Sequence, residues 1–176
     1  MSNPTYENYG QGGHIEVVQI VYNPEKVSYG RLLDTFWRQI DPTDAGGQFV
    51  DRGHEYISGI FVYDDEQRRL AKASKKKLEA SGILPKPIAT AIVDAPPFWP
   101  AEDYHQDYYH KNPIRYSFYR SGSGRDEYLK KTWGGCSILS SPPRGWAWGP
   151  VWGFPSCTVS FRNIRERYRL RAKREK

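Results

Sequence analysis

The apolar residues of this chain fall in blocks whose spacing changes along its length, and each change marks a new element. Residues 14–22, HIEVVQIVY, are dense in β-branched and aromatic side chains and predict a strand buried on both faces, ended by Asn23-Pro24. Ser28 then precedes a segment in which Leu32, Leu33, Phe36, Trp37 and Ile40 recur at helical spacing, which predicts a capped amphipathic helix stopped by Asp41-Pro42. Residues 43–54, TDAGGQFVDRGH, carry three glycines and no periodicity, so a long loop is expected, of a length that usually has a task of its own. A second strand is predicted over residues 56–63. A second helix, capped by Asp64 or Asp65, runs to about Ser81, with Gly82 just past its end and the Lys75-Lys76-Lys77 run on its solvated face. Residues 88–93, IATAIV, predict a third strand. Residues 95–120 mix aromatics, prolines and acids without a period and predict irregular, aromatic-packed structure with at most a short helix over 102–109.

Strands alternating with two helices point to an α+β domain in which helices pack on a sheet. Six tryptophans, thirteen tyrosines and seven phenylalanines in 176 residues suit one core rather than two. The net charge of +6 suggests a nucleic-acid or membrane binder until it is divided along the chain. Residues 1–134 hold 17 Lys/Arg against 18 Asp/Glu, whereas residues 135–176 hold 9 against 2. The excess therefore belongs to the tail, and a folded domain over 1–134 followed by a basic, Trp/Pro/Arg-rich tail without order over 135–176 is expected. No run of eighteen apolar residues exists and the first residues, MSNPTYENYG, lack a leader's basic and apolar regions, so no membrane partner and a cytoplasmic location are expected. The two cysteines, Cys136 and Cys157, both lie in the tail and read as free thiols in a reducing compartment.

Candidate chemistry gathers in four ordered stretches: Asn3-Pro4-Thr5-Tyr6; Gly13-His14-Ile15-Glu16; Asp51 with Gly53 and Tyr56; and Ala101-Glu102-Asp103-Tyr104-His105-Gln106 running into Lys111-Asn112-Pro113. Taken singly, Tyr6 and Tyr56 are ordinary core or surface tyrosines and Asp51 an ordinary loop residue. Glu16 stands out, because it opens a strand composed for burial, where desolvation would raise its pKa and keep it a proton donor near neutral pH. Together the four stretches resemble the peptide methionine sulfoxide reductase A family over residues 2–134. The strings GQFVDRG and RYSFYRSGSGRDEYL resemble the subgroup found fused to a reductase B domain.

The resemblance implies a ferredoxin-like sheet with helices packed on it, and reduction of the S epimer of protein-bound or free methionine sulfoxide, a repair of oxidative damage. It implies thioredoxin or another dithiol as reductant, with no cofactor and no metal. Attack of a thiolate on the positive sulfur piles charge onto the departing oxygen, which must be protonated or hydrogen-bonded. The resemblance gives this work to Glu16, Tyr6 and Tyr56, with Asp51 as a supporting carboxylate. The family's nucleophile motif, Gly-Cys-Phe-Trp, lies ahead of the Asn-Pro-Thr-Tyr stretch and has no counterpart here, where only two residues precede Asn3. The first strand and helix of the family fold are thus expected to be missing, with strand edges exposed, and the chain as it stands is expected to be inactive.

Several other readings compete. Gly134-Gly135-Cys136 echoes the nucleophile turn, but Ser137-Ile138 follow where Phe-Trp is needed, and neither Cys136 nor Cys157 stands in the context of a resolving thiol. Glu102, Asp103, His105, Asp107 and His110 crowd together without a zinc spacing and read as packing. Arg162, Arg165, Arg167, Arg169, Arg171, Lys173 and Arg174 could meet phosphates with tryptophans upstream to stack, yet they lack a pattern that would hold them on one surface, so no nucleic-acid partner is expected. The alternative to an enzyme is a non-catalytic remnant that binds methionine sulfoxide through Glu16, Tyr6 and Tyr56, with a basic tail that could hold nucleic acid.

Overall fold

The computed structural model describes residue 5, residues 12–134 and the backbone of residues 158–163. Strand β1 (Val17–Tyr22) turns Ile20 and Tyr22 into the core and leaves Val21 exposed. It therefore buries chiefly one face, not the two expected: Ile20 and Tyr22 belong to the core cluster with Val18 packed against it, while Val17, Gln19 and Val21 on the other face do not. Helix α1 (Tyr29–Trp37) begins as the sequence predicts: the Ser28 hydroxyl accepts the Arg31 N–H at 3.2 Å, satisfying a donor that the first helical turn leaves open. Its Leu33 and Phe36 are 0% exposed.

Strand β4 (Gly59–Val62) is followed by helix α2 (Asp65–Ala80), capped by Asp64, whose Oδ1 accepts the Gln67 N–H at 2.6 Å. Gln67 turns back so that its Oε1 accepts the Tyr63 N–H at 3.0 Å, a near relative of the capping box. Trp37 Nε1 donates to Ser74 Oγ at 2.9 Å and ties the two helices together. Lys75, expected in solvent with its two neighbours, instead donates from Nζ to the Thr90 carbonyl at 2.9 Å; Lys76 and Lys77 are exposed. Strand β5 (Ala91–Asp94) pairs in parallel with β4 across α2, the short βαβ unit that a parallel pair requires.

A further strand, β6, spans Thr158–Asn163, and the sheet order is β1-β6-β4-β5. Strand β6 lies in the slot between β1 and β4, parallel to both, with Thr158 in register with Val17 on one side and Gly59 on the other. Its residues come from the segment set apart on sequence as the basic tail. Helices packed on a sheet is the architecture expected.

Where irregular structure was predicted over 95–120, the chain forms helices α3 (Tyr108–Lys111) and α4 (Pro113–Gly122), and α5 (Arg125–Trp133) follows. Pro113 sits at the start of α4, where its missing N–H costs nothing, and Gly124, at φ 77°, separates α4 from α5. Periodicity missed these helices because each buries so little: among their apolar residues only Tyr116 and Leu129 are buried.

Candidate functional site

The glycine-rich loop of residues 43–54 contains a small antiparallel hairpin, β2 (Gly47–Gln48) and β3 (Asp51–Arg52). Gln48, 0% exposed, fixes its place: Nε2 donates to the Asp41 carbonyl at 2.8 Å, and Oε1 accepts the Asp41 N–H at 2.9 Å. A buried amide so paired fastens the hairpin to the chain leaving α1. Gly47, at φ 141°, is required, since a Cβ there would stand 2.2 Å from the Asp51 carbonyl oxygen.

Asp51 leads directly into a single 3-10 turn, His54–Tyr56, which bears Tyr56. The Glu16 N–H, just ahead of β1, donates to the Glu55 carbonyl at 3.0 Å. That bond sets Glu16 beside the turn that bears Tyr56, Asp51 lies three residues ahead of the start of the same turn, and all three are half-buried. Tyr6, Cys136 and Cys157 lie outside the described residues.

The other wall is supplied by α4 and α5. The Tyr119 hydroxyl donates to Asp51 Oδ2. Arg125, 4% exposed, donates from Nη1 to the Gln39 carbonyl at 2.9 Å and holds its guanidinium 4.7 Å from the centre of the Phe49 ring. Tyr128 meets the same ring edge-on, with centroids 5.6 Å apart. Phe49 opens the two-residue turn of the hairpin at φ 56°, a conformation that favours glycine. Such a backbone costs a bulky residue about 1–3 kcal/mol. A desolvated cation over a ring gives back ~1–2 kcal/mol and an edge-to-face aromatic pair about 1 kcal/mol, so the two contacts are of the size needed to hold it.

Charge is distributed around the hairpin as well. Arg52 hydrogen-bonds to Asp44 through both of its terminal nitrogens and holds that carboxyl below the usual carboxylate range. Burial, and after it the charge of Asp41, pushes the Tyr128 phenol up to about 12. The acid and histidine cluster at 102–110 is folded on itself: His105 N–H donates to the Glu102 carbonyl at 2.9 Å, and Lys111 Nζ reaches the Asp103 carbonyl at 2.5 Å. Among the described residues no three metal-binding side chains come together.

Sequence reasoning did not single out Gln48, Phe49, Tyr119, Arg125 or Tyr128. Phe49 falls in GQFVDRG and the last three in RYSFYRSGSGRDEYL, so the strings that carried the resemblance marked the segments without marking the contacts.

The profile of the family described as peptide methionine sulfoxide reductase matches residues 1–136. The peptide methionine sulfoxide reductase MsrA of Bacillus licheniformis is 55% identical over 134 residues, which are 75% of this chain and 74% of that protein. The MsrA/MsrB protein of Vibrio cholerae is 48% identical over 136 residues, 76% of this chain but 36% of its own length. The solved structure of methionine sulfoxide reductase A from Corynebacterium diphtheriae, 29% identical, superposes with a TM-score of 0.50 over 63% of this chain and 58% of its own. The chain spans about three quarters of the Bacillus relative and just under three fifths of the Corynebacterium structure. With the fold, the ordered motifs and these likenesses in agreement, the chain belongs to the peptide methionine sulfoxide reductase family of oxidoreductases, in its A branch.

Proposed function

We propose that this chain carries the oxygen-side groups of a peptide-methionine (S)-S-oxide reductase, with thioredoxin or another dithiol as reductant and the cytoplasm as its location. Its substrate is the S epimer of methionine sulfoxide, in proteins or free. The observation that supports the reading is the Glu16 N–H to Glu55 carbonyl bond at 3.0 Å, which holds Glu16 beside the turn bearing Tyr56. A protonated Glu16 with the hydroxyls of Tyr56 and Tyr6 would stabilise charge growing on the sulfoxide oxygen as the S–O bond breaks, and Asp51 would support them.

The 176-residue chain is expected to show no turnover of S-methionine sulfoxide with dithiothreitol, since neither cysteine stands in a Gly-Cys-Phe-Trp motif. It is expected to bind N-acetyl-methionine S-sulfoxide amide in preference to the R epimer, and Glu16→Ala should weaken that binding. Equal affinity for the two epimers in an NMR titration would remove the reading. Turnover that Cys136→Ser abolishes would assign the nucleophile to Cys136.

A further inference from the structure

We infer that Phe49, Tyr119 and Arg125 are positioning residues for Asp51: the α4–α5 pair grips the turn of the β2–β3 hairpin and so sets where the Asp51 carboxylate stands. The inference rests on the reading of Asp51 as part of the sulfoxide site. Asp51 is gripped at two points. Its carboxylate receives the Tyr119 hydroxyl, which fixes the rotation of the group. Its backbone is set by the turn, because Gln48 and Asp51 are paired across the hairpin with only Phe49 and Val50 between them.

That turn carries a strained backbone at its first residue. Phe49 holds φ 56°, where a side chain is a hindrance, and it does so with the Arg125 guanidinium 4.7 Å from its ring centre and the Tyr128 ring centroid 5.6 Å away. Arg125 is itself immobilised. It is buried, its Nη1 is bonded to the Gln39 carbonyl at 2.9 Å, and its N–H reaches Ser123 Oγ at 3.3 Å. The guanidinium is thus a fixed plate, the ring rests on it, and the residue two positions further along bears the carboxylate. Phe49 is only half-buried and lies outside the main hydrophobic cluster, so its contacts serve the turn more than the core.

The test uses the full chain labelled with 13C at the aspartate carboxyls and observed at neutral pH. In the parent, the Asp51 carboxylate signal should be displaced from that of an exposed aspartate such as Asp103, and Tyr119→Phe should abolish the displacement. Phe49→Gly and Arg125→Gln are expected to move the signal the same way while the methyl signals of Leu33 and Ile60 stay in place, and Phe49→Tyr, which keeps the ring, should leave it unmoved. Glycine suits the backbone at position 49, so Phe49→Gly retains the fold even if Arg125→Gln does not. An Asp51 signal unchanged in Phe49→Gly overturns the inference. Tyr119→Phe, Phe49→Gly and Arg125→Gln should bind N-acetyl-methionine S-sulfoxide amide about ten-fold more weakly, and Phe49→Tyr as tightly as the parent. If the parent binds no sulfoxide, the oxygen-side reading fails, and the carboxylate signal still decides whether the turn positions Asp51.

Discussion

Gln48 is a polar side chain in a fully buried position, and both ends of its amide are committed to the backbone of Asp41. Gln48→Leu keeps the volume, orphans the Asp41 N–H and leaves the Asp41 carbonyl only the Asp44 N–H at 3.4 Å, so a loss of about 1–3 kcal/mol is expected in urea unfolding. A loss under about 0.5 kcal/mol would mean that water reaches Asp41. Tyr128 links the same region to pH. Its folded phenol is held up to about 12, by burial first and the Asp41 charge second, against an ordinary value of 10.0. Its contribution is therefore fully present below pH 10 and is lost as pH rises from 10 to 12. Burial raises Tyr29 in the same sense. Unfolding free energies measured from pH 8 to 12 should fall over that window, and Tyr128→Phe should flatten the fall; parallel curves for the two proteins would refute the linkage.

At the scale of elements, what could be read from sequence was what depends on near neighbours. Ser28 and Asp64 cap their helices as the spacing implies, because a cap needs only a side chain and an N–H two or three residues on. Ser28→Ala should cost about 1 kcal/mol, seen as a lower midpoint in thermal unfolding with little change in the folded circular-dichroism spectrum. Helices α4 and α5 escaped the pattern because they bury so few apolar residues, and the hairpin escaped it because Phe49 takes a turn position that favours glycine. The candidate site divides the same way. Glu16, Asp51 and Tyr56 stood in recognisable motifs, while the partnership of Tyr119 with Asp51 depends on a path through the fold that no spacing along the chain reports.

Across the whole molecule, the sheet joins segments that are far apart in the chain. β6 fills the slot between β1 and β4, so its removal would leave both with an open edge and β1 with no partner among the described strands. A chain ending at Gly134 is accordingly expected to unfold at lower urea and to aggregate at concentrations where the full chain stays dispersed, as read by light scattering. Equal midpoints for the two would show that β6 adds nothing to the sheet.

The pairing of Val17 with Thr158 also sets a clock. During synthesis at about 5–20 residues per second, β1 leaves the ribosome on the order of ten seconds before the strand it must join. In that interval β1 and β4 wait as sticky edges, and a long-range contact of this kind is slow to find even when both halves exist. The yield of soluble protein in a cell should therefore depend on chaperone supply and on the pace of translation.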